Sequence, residues 1–161
     1  MRADLADVTH GETVEMGGMK IHHTAICIRD IDASKRFWRD GLGFIEQMDN
    51  SSDGDWPTLF NARQTRLGSI FLGDPNVQDA RLIELVEFAG GIDEAGEPPR
   101  EPTLGFFLVS VYLAVDPTLA RLDTLDLGGR PTRITLPGGV QMAVVRDLNG
   151  VAVELIELAG D

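Results

Sequence analysis

Residues 83–88 read Ile-Glu-Leu-Val-Glu-Phe and residues 153–158 read Val-Glu-Leu-Ile-Glu-Leu, one apolar-Glu-Leu-apolar-Glu-apolar pattern repeated at an offset of 70 residues. A repeat at fixed spacing constrains a fold more than any local propensity, because each copy must take up the same local structure and bury the same face. Each copy also closes a segment that opens alike: an apolar run, a short capped helix stopped by glycine, then further strands. The arrangement predicts an α+β fold of two βαβββ modules. With 161 residues, a single domain made of two such halves buries about 70% of its unfolded surface, so no disulfide or metal staple is needed.

In the first module, residues 20–28 alternate in polarity and are β-branched enough for a strand, and Asp32 is a candidate N-cap for the helix that follows. At 100° per residue, Ala33, Ser34, Phe37 and Trp38 share one arc and Lys35, Arg36, Arg39 and Asp40 the other, with Gly41 and Gly43 as the stop. Further strands are expected near 44–48, 58–61, 69–72 and 81–88. In the second, a strand over 105–115 precedes Asp116 as N-cap and Pro117 at N1, then Gly128 and Gly129 end the helix. Turns at Pro137-Gly138-Gly139 and Asp147-Leu148-Asn149-Gly150 introduce strands over 140–146 and 151–158. The expected division is a loose arm over 1–18 and one domain over 19–161, made of module one (19–88), a Pro-, Gly- and acid-rich linker (89–104) and module two (105–161).

Composition narrows the function. The 14 basic and 26 acidic residues give a formal charge of -12, which repels phosphate backbones and anionic lipid, so nucleic acid and membrane partners are not expected. The longest apolar run, 106–115, is too short to span a bilayer. The lone Cys27 cannot form an intrachain disulfide, and the expected setting is the reducing cytoplasm.

Strand parity sorts the reactive groups, because side chains alternate between faces. His23, Ala25 and Cys27 share one face of the first strand, and His22, Thr24, Ile26 and Ile28 share the other, which suits packing against the helix. Small residues beside a histidine leave room for a cavity. Glu84 shares its face with Leu82, Val86 and Phe88, and Glu154 shares its face with Ala152 and Ile156, so both carboxylates stand among apolar neighbours and call for a partner, a proton or a metal. Each residue has a plainer reading. His23 can be a hydrogen-bonded core histidine, His22 structural, Cys27 a small hydrophobe, and Trp56 a cavity rim or a loop anchor. Parity admits only one inward glutamate per hexapeptide, and their uncharged face neighbours select Glu84 and Glu154 over Glu87 and Glu157.

The segment Ile21-His22-His23-Thr24-Ala25-Ile26, the Phe37-Trp38 helix with Gly41-Leu42-Gly43-Phe44, and Asp147-Leu148-Asn149-Gly150 before Val153-Glu154-Leu155 resemble the vicinal oxygen chelate superfamily of glyoxalases, epimerases, extradiol dioxygenases and bleomycin-resistance proteins. The resemblance spans residues 20–158. It implies two βαβββ modules cupped around one cavity, a homodimer, and a divalent ion (Mn²⁺, Fe²⁺, Ni²⁺ or Zn²⁺) held by His23, Glu84 and Glu154, with the third ligand position at or near Ser110 and Ser110, Ala25 and Cys27 lining the cavity. A neutral hydroxyl is a poor ligand for a divalent ion. The histidines of the chain are His10, His22 and His23, so the second half supplies none, and a 2-His-1-carboxylate iron site is not expected from His22 and His23 on opposite strand faces. The implied activity is a lyase or isomerase that shifts a proton beside a metal-polarised carbonyl of a small molecule, with Glu84 or Glu154 as the base. The alternative is a metal-free protein that binds or sequesters a small molecule, such as an antibiotic.

Overall fold

The computed structural model describes residues 21–77, 81–94, 96, 101–102 and 104–160; the arm over 1–18, with His10, lies outside them. β1 (His23–Cys27) leads into α1 (Ile31–Lys35) and a π-helical continuation over Arg36–Gly41, followed by β2 (Ile45–Asp49), β3 (Ser52–Asp53), α2 (Trp56–Phe60), β4 (Arg66–Gly73) and β5 (Leu82–Phe88). The second module is β6 (Val109–Tyr112), α3 (Val115–Thr124), β7 (Thr132–Thr135), β8 (Gln141–Arg146) and β9 (Ala152–Glu157).

The two sheets have matching orders, β1-β5-β4-β2 with β3 beside β4, and β6-β9-β8-β7. In each, the first strand runs parallel to the last, and the last runs antiparallel to the one before it. The repeated hexapeptides therefore occupy the same interior strand of two equivalent mixed sheets, as two βαβββ modules require.

Several local expectations are corrected. The first helix is capped by Asp30, whose carboxylate accepts from the Ala33 N–H at 2.9 Å, and Asp32 already lies inside the first turn. Residues 58–61 belong to α2 and its cap instead of a strand: Asp55 accepts from the Thr58 N–H, Pro57 sits where no intrahelical donor is needed, and Asn61 ends the turn in the left-handed region. The strand expected over 105–115 is confined to Val109–Tyr112, and Ala114 rather than Asp116 caps α3. Glu157 does the capping work from a distance, its Oε2 accepting from the Val115 N–H at 2.6 Å. Strand β3 is two polar residues and β7 carries Ile134 as its one apolar residue, so neither has an apolar pattern to announce it.

One hydrophobic core joins the modules. Ile26, Ile28, Ile83 and Leu85 from the first sheet and Val145, Val153 and Leu155 from the second close over Phe37, Trp38 and Leu122 from the helices. The Asp147-Leu148-Asn149-Gly150 turn ties the halves together. Asp147, only 6% exposed, accepts from the N–H groups of Asn149 and Val151, and Asn149 Nδ2 reaches Ser34 Oγ on α1 at 3.2 Å. No helix among the described residues is long and apolar enough to cross a membrane.

Candidate functional site

Packing of both helical layers into one core leaves the opposite face of each sheet open. On β1, Ile26 and Ile28 are buried while Ala25 and Cys27 are exposed, the parity that the sequence implies. On that open face His23 Nε2 stands 3.0 Å from Glu84 Oε2, with the side chains 34% and 12% exposed. Ser69 on β4, itself 2% exposed, donates its hydroxyl to the other carboxylate oxygen of Glu84. Phe71 packs edge-on against the His23 ring at 5.4 Å between centroids, closing one side. Glu84 is thus held at both oxygens in an apolar surrounding.

Ser69 is a residue that the sequence reading missed. Its signal was present, since it is the one hydroxyl in the apolar run 67–72 and shares parity with Leu67 and Phe71, yet only the folded sheet shows that it reaches Glu84, diagonally from its place opposite Val86.

The two adjacent histidines are closer than parity predicts. His22 precedes β1 and escapes its alternation, so its Nδ1 lies 2.7 Å from Nδ1 of His23. His23 therefore offers its Nε2 edge to Glu84 and its Nδ1 edge to His22, and the expectation of opposite faces is corrected.

In the second sheet Ser110 donates to Glu154, its direct cross-strand partner. Glu154 lines a shallow cavity of about 150 Å³ with Thr132, Ile134, Met142 and Val144. Two polar pairs result, one per sheet. The first brings together His23 and Glu84, the second Ser110 and Glu154. Among the described residues, no three His, Cys, Asp or Glu side chains gather as a group able to hold a metal ion, so the set of His23, Glu84 and Glu154 is not assembled there.

Cys27, exposed on the open face but with its thiol partly covered, has that thiol pushed above the ordinary range, first by this partial desolvation and then by the negative charge of Glu84. It is a protonated, weakly nucleophilic wall residue.

Residues 20–155 match the family described as the Glyoxalase/Bleomycin resistance protein/Dioxygenase superfamily. The chain belongs to this superfamily. It is 34% identical over 146 residues to the lactoylglutathione lyase-like protein terB of Aspergillus terreus, which covers 84% of this chain and 74% of that protein. Its fold is similar to that of a glyoxalase family protein from Bacillus cereus, with a TM-score of 0.71 at 15% identity over 91% of this chain and 98% of the other. It is also similar to the trypanothione-dependent glyoxalase I of Leishmania major, with a TM-score of 0.59 at 19% identity over 87% of each chain.

Internal symmetry shows how far a superfamily metal site fits. In the first sheet Ala25 pairs with Glu84, and His23 lies two residues earlier. In the second, Ser110 pairs with Glu154, so Ser110 is the counterpart of Ala25, and the counterpart of His23 is Leu108. The third ligand position thus falls on a hydrocarbon side chain that cannot coordinate. By the same register Ser69 corresponds to Met142. The environment built around Glu84, an imidazole and a buried hydroxyl, has no equivalent around Glu154. One imidazole and one carboxylate are half of a usual coordination shell, and this chain by itself does not fit a divalent ion.

Proposed function

We propose that this chain is a lyase or isomerase that moves a proton on a carbon beside the carbonyl of a small molecule, with Glu84 as the base. The carrying observation is the fixed carboxylate: Glu84 is held at one oxygen by Ser69 and faces His23 with the other. An ionised carboxylate has about four acceptor positions, so two contacts leave room for a substrate proton. Holding the base in place before substrate arrives removes the entropy of orienting it, which is a principal way that positioned groups accelerate proton transfer. Glu84 takes the proton from the hydroxyl-bearing carbon, and the electron pair passes into the adjoining carbonyl to give an enediolate. Glu84 returns the proton to the former carbonyl carbon, and the hydroxyl proton moves to the neighbouring oxygen. His23, with Nε2 at the carboxylate and Nδ1 at His22, serves to position Glu84. The asymmetry between the modules selects Glu84 over Glu154, and no step is routed through a metal.

We read the working unit as a homodimer in the cytoplasm. The open faces carry Tyr112 at 73% and Ile134 at 57% exposure, and Phe106 and Phe107 are 65% and 61% exposed. Large apolar groups so exposed mark a surface that association covers. A second copy laid on these faces would cover these apolar groups and enclose the space beside the polar pairs.

The test is hydrogen exchange at carbon. The protein is incubated in D₂O with a panel of 2-hydroxy ketones and hemithioacetals, and loss of the carbon-bound proton is followed by NMR. Exchange in the wild type that disappears in Glu84→Gln, while Glu154→Gln retains it, supports the reading. Exchange that survives Glu84→Gln defeats it. A second reading, a metal-free protein that sequesters a small molecule, is favoured by Leu108 at the third ligand position; ligand stabilisation indifferent to a chelator, with no exchange, supports that reading.

A further inference from the structure

We propose that the open face of the first module carries a ring-binding subsite at the ends of β1 and β5, selecting small carbonyl compounds that bear an aromatic or alicyclic group. Glu84, Val86 and Phe88 lie on one face of β5, and Cys27 is the cross-strand partner of Val86. At two residues per repeat, the path from the carboxylate to Cys27 and Phe88 is about 7–13 Å. There a cleft of about 220 Å³ opens, with Cys27, Phe60, Phe88 and Ile92 on its apolar side and Asn61, Arg63 and Asp93 on its polar side. A second cavity of about 290 Å³ adjoins it, sharing Cys27, Phe88, Ile92 and Asp93, and is charged at its outer side through Arg29, Glu87 and Glu94. A benzene ring needs roughly 150 Å³, so the cleft has the volume for a ring with its tether.

Its walls are held in place. Phe60 stacks on Trp56 at 5.8 Å and meets Phe88 edge-on at 6.1 Å, a run of three rings along the cleft. Asn61 turns the chain in the left-handed region so that 62–63 follow the cleft. Arg63 then crosses to the far side, donating to Gly90 O at 3.2 Å and pairing with Asp93. The cation at the rim is already neutralised, and the thiol of Cys27 is kept protonated by burial and by Glu84. One side of the cleft is therefore hydrocarbon and sulfur from Phe60, Phe88, Ile92 and Cys27, which favours a ring, and the other is the internally paired Arg63 and Asp93 with Asn61. Phe60 is 55% exposed and has no packing role in the core, which suits a residue awaiting a ligand.

The subsite rests on the reading of Glu84 only for the direction in which the substrate points, so binding and turnover are tested separately. Calorimetric titration compares methyl ketones carrying an ω-phenyl group on tethers of increasing length with acyclic ketones of equal carbon number. The phenyl compounds are expected to bind more tightly, with Phe60→Ala weakening them about 2- to 12-fold, the range for one aromatic contact, and Cys27→Phe, which fills the cavity, abolishing the preference. Glu84→Gln keeps the phenyl preference, so its loss of exchange does not bear on the subsite. Equal affinity for cyclic and acyclic probes overturns the proposal, as does a preference unchanged in both Phe60→Ala and Cys27→Phe. A fall from dimer to monomer on Phe60→Ala also overturns it, because the ring would then be covered by a second copy of the chain.

Discussion

His23 Nε2 stands 3.0 Å from Glu84 Oε2 although the register of the parallel strands sets His23 opposite Leu82 and Ala25 opposite Glu84. The contact is diagonal, and only a long side chain over a small neighbour makes it. Ala25 is that neighbour. Its methyl group leaves the space through which the imidazole reaches the carboxylate, and Ser69 completes the clamp from the other flank. The second sheet repeats the backbone without the clamp, because Leu108 and Met142 stand at the matching positions.

Ser69→Ala tests the clamp. It removes a buried donor from a carboxylate whose side chain is 12% exposed, and a hydrogen bond to a charged group contributes about 1.5–3 kcal/mol. The expected result is a lower urea midpoint at unchanged m-value, together with slower carbon-proton exchange. Met142→Ala, at the equivalent place in the second sheet, is expected to leave exchange unaltered.

The thiol of Cys27 reports the charge of Glu84. Burial disfavours the thiolate, and the nearby carboxylate repels it, so both effects raise the pH at which the thiol ionises. Alkylation of Cys27 by iodoacetamide, followed against pH, is expected to rise at a higher midpoint than that of a free thiol. Glu84→Gln removes the repulsion and leaves burial, so the midpoint moves down without reaching the free-thiol value. An unmoved midpoint would show that Glu84 and Cys27 do not share a face.

Much of this was legible in the sequence, for definite physical reasons. The hexapeptides declared two modules because a central strand buried on its core face must spell the same alternation twice. Phe37 and Trp38 read correctly because a 3.6-residue period puts both on the buried arc, and both are fully buried. Parity allowed one glutamate of each hexapeptide on the face of the site, uncharged face neighbours pointed to Glu84 and Glu154, and Glu157 found its different role as the distant cap of α3. What failed were features set by contacts remote in sequence. Ser69 acquires meaning only beside β5, and the counterpart of His23 is found only by pairing β6 with β9. His22 broke the parity rule by lying one residue outside the strand. Residues 58–61 read as a strand because their apolar content, without the Asp55 cap and Pro57, does not distinguish one helical turn from an extended run.

Asp147→Ala tests the turn that joins the modules. The carboxylate accepts from the N–H groups of Asn149 and Val151, both at 2.8 Å, and holds Asn149 where it reaches Ser34. Its loss leaves two donors short of partners near the core, at about 1–3 kcal/mol for a buried unsatisfied group. A falling urea midpoint is expected. Asp147→Asn retains an acceptor oxygen and is expected to recover part of the loss, whereas equal losses in both variants would show that the negative charge, and not the hydrogen bonds, secures the turn.

Gly41, at the end of the first helix, packs directly against Leu122 of α3, and its substitution separates packing from propensity. A Cβ built on Gly41 would lie 2.6 Å from Cδ2 of Leu122, a side chain only 1% exposed with little room to withdraw. Helix propensity alone would favour Gly41→Ala by about 0.5–1 kcal/mol. Overpacking a close-packed site costs about 1–3 kcal/mol, so the net change is expected to be destabilising. Arg121 adds to this, since its Nε donates to the Gly41 carbonyl at 2.6 Å and a displaced helix would lose that bond. The decisive measurement is a double-mutant cycle with Leu122→Ala. That variant alone is expected to lose about 2–5 kcal/mol by leaving a cavity, and the added methyl of Gly41→Ala partly fills it. The double variant should therefore be more stable than the sum of the two single losses predicts, while strict additivity would mean that the strain at Gly41 arises somewhere other than its contact with Leu122.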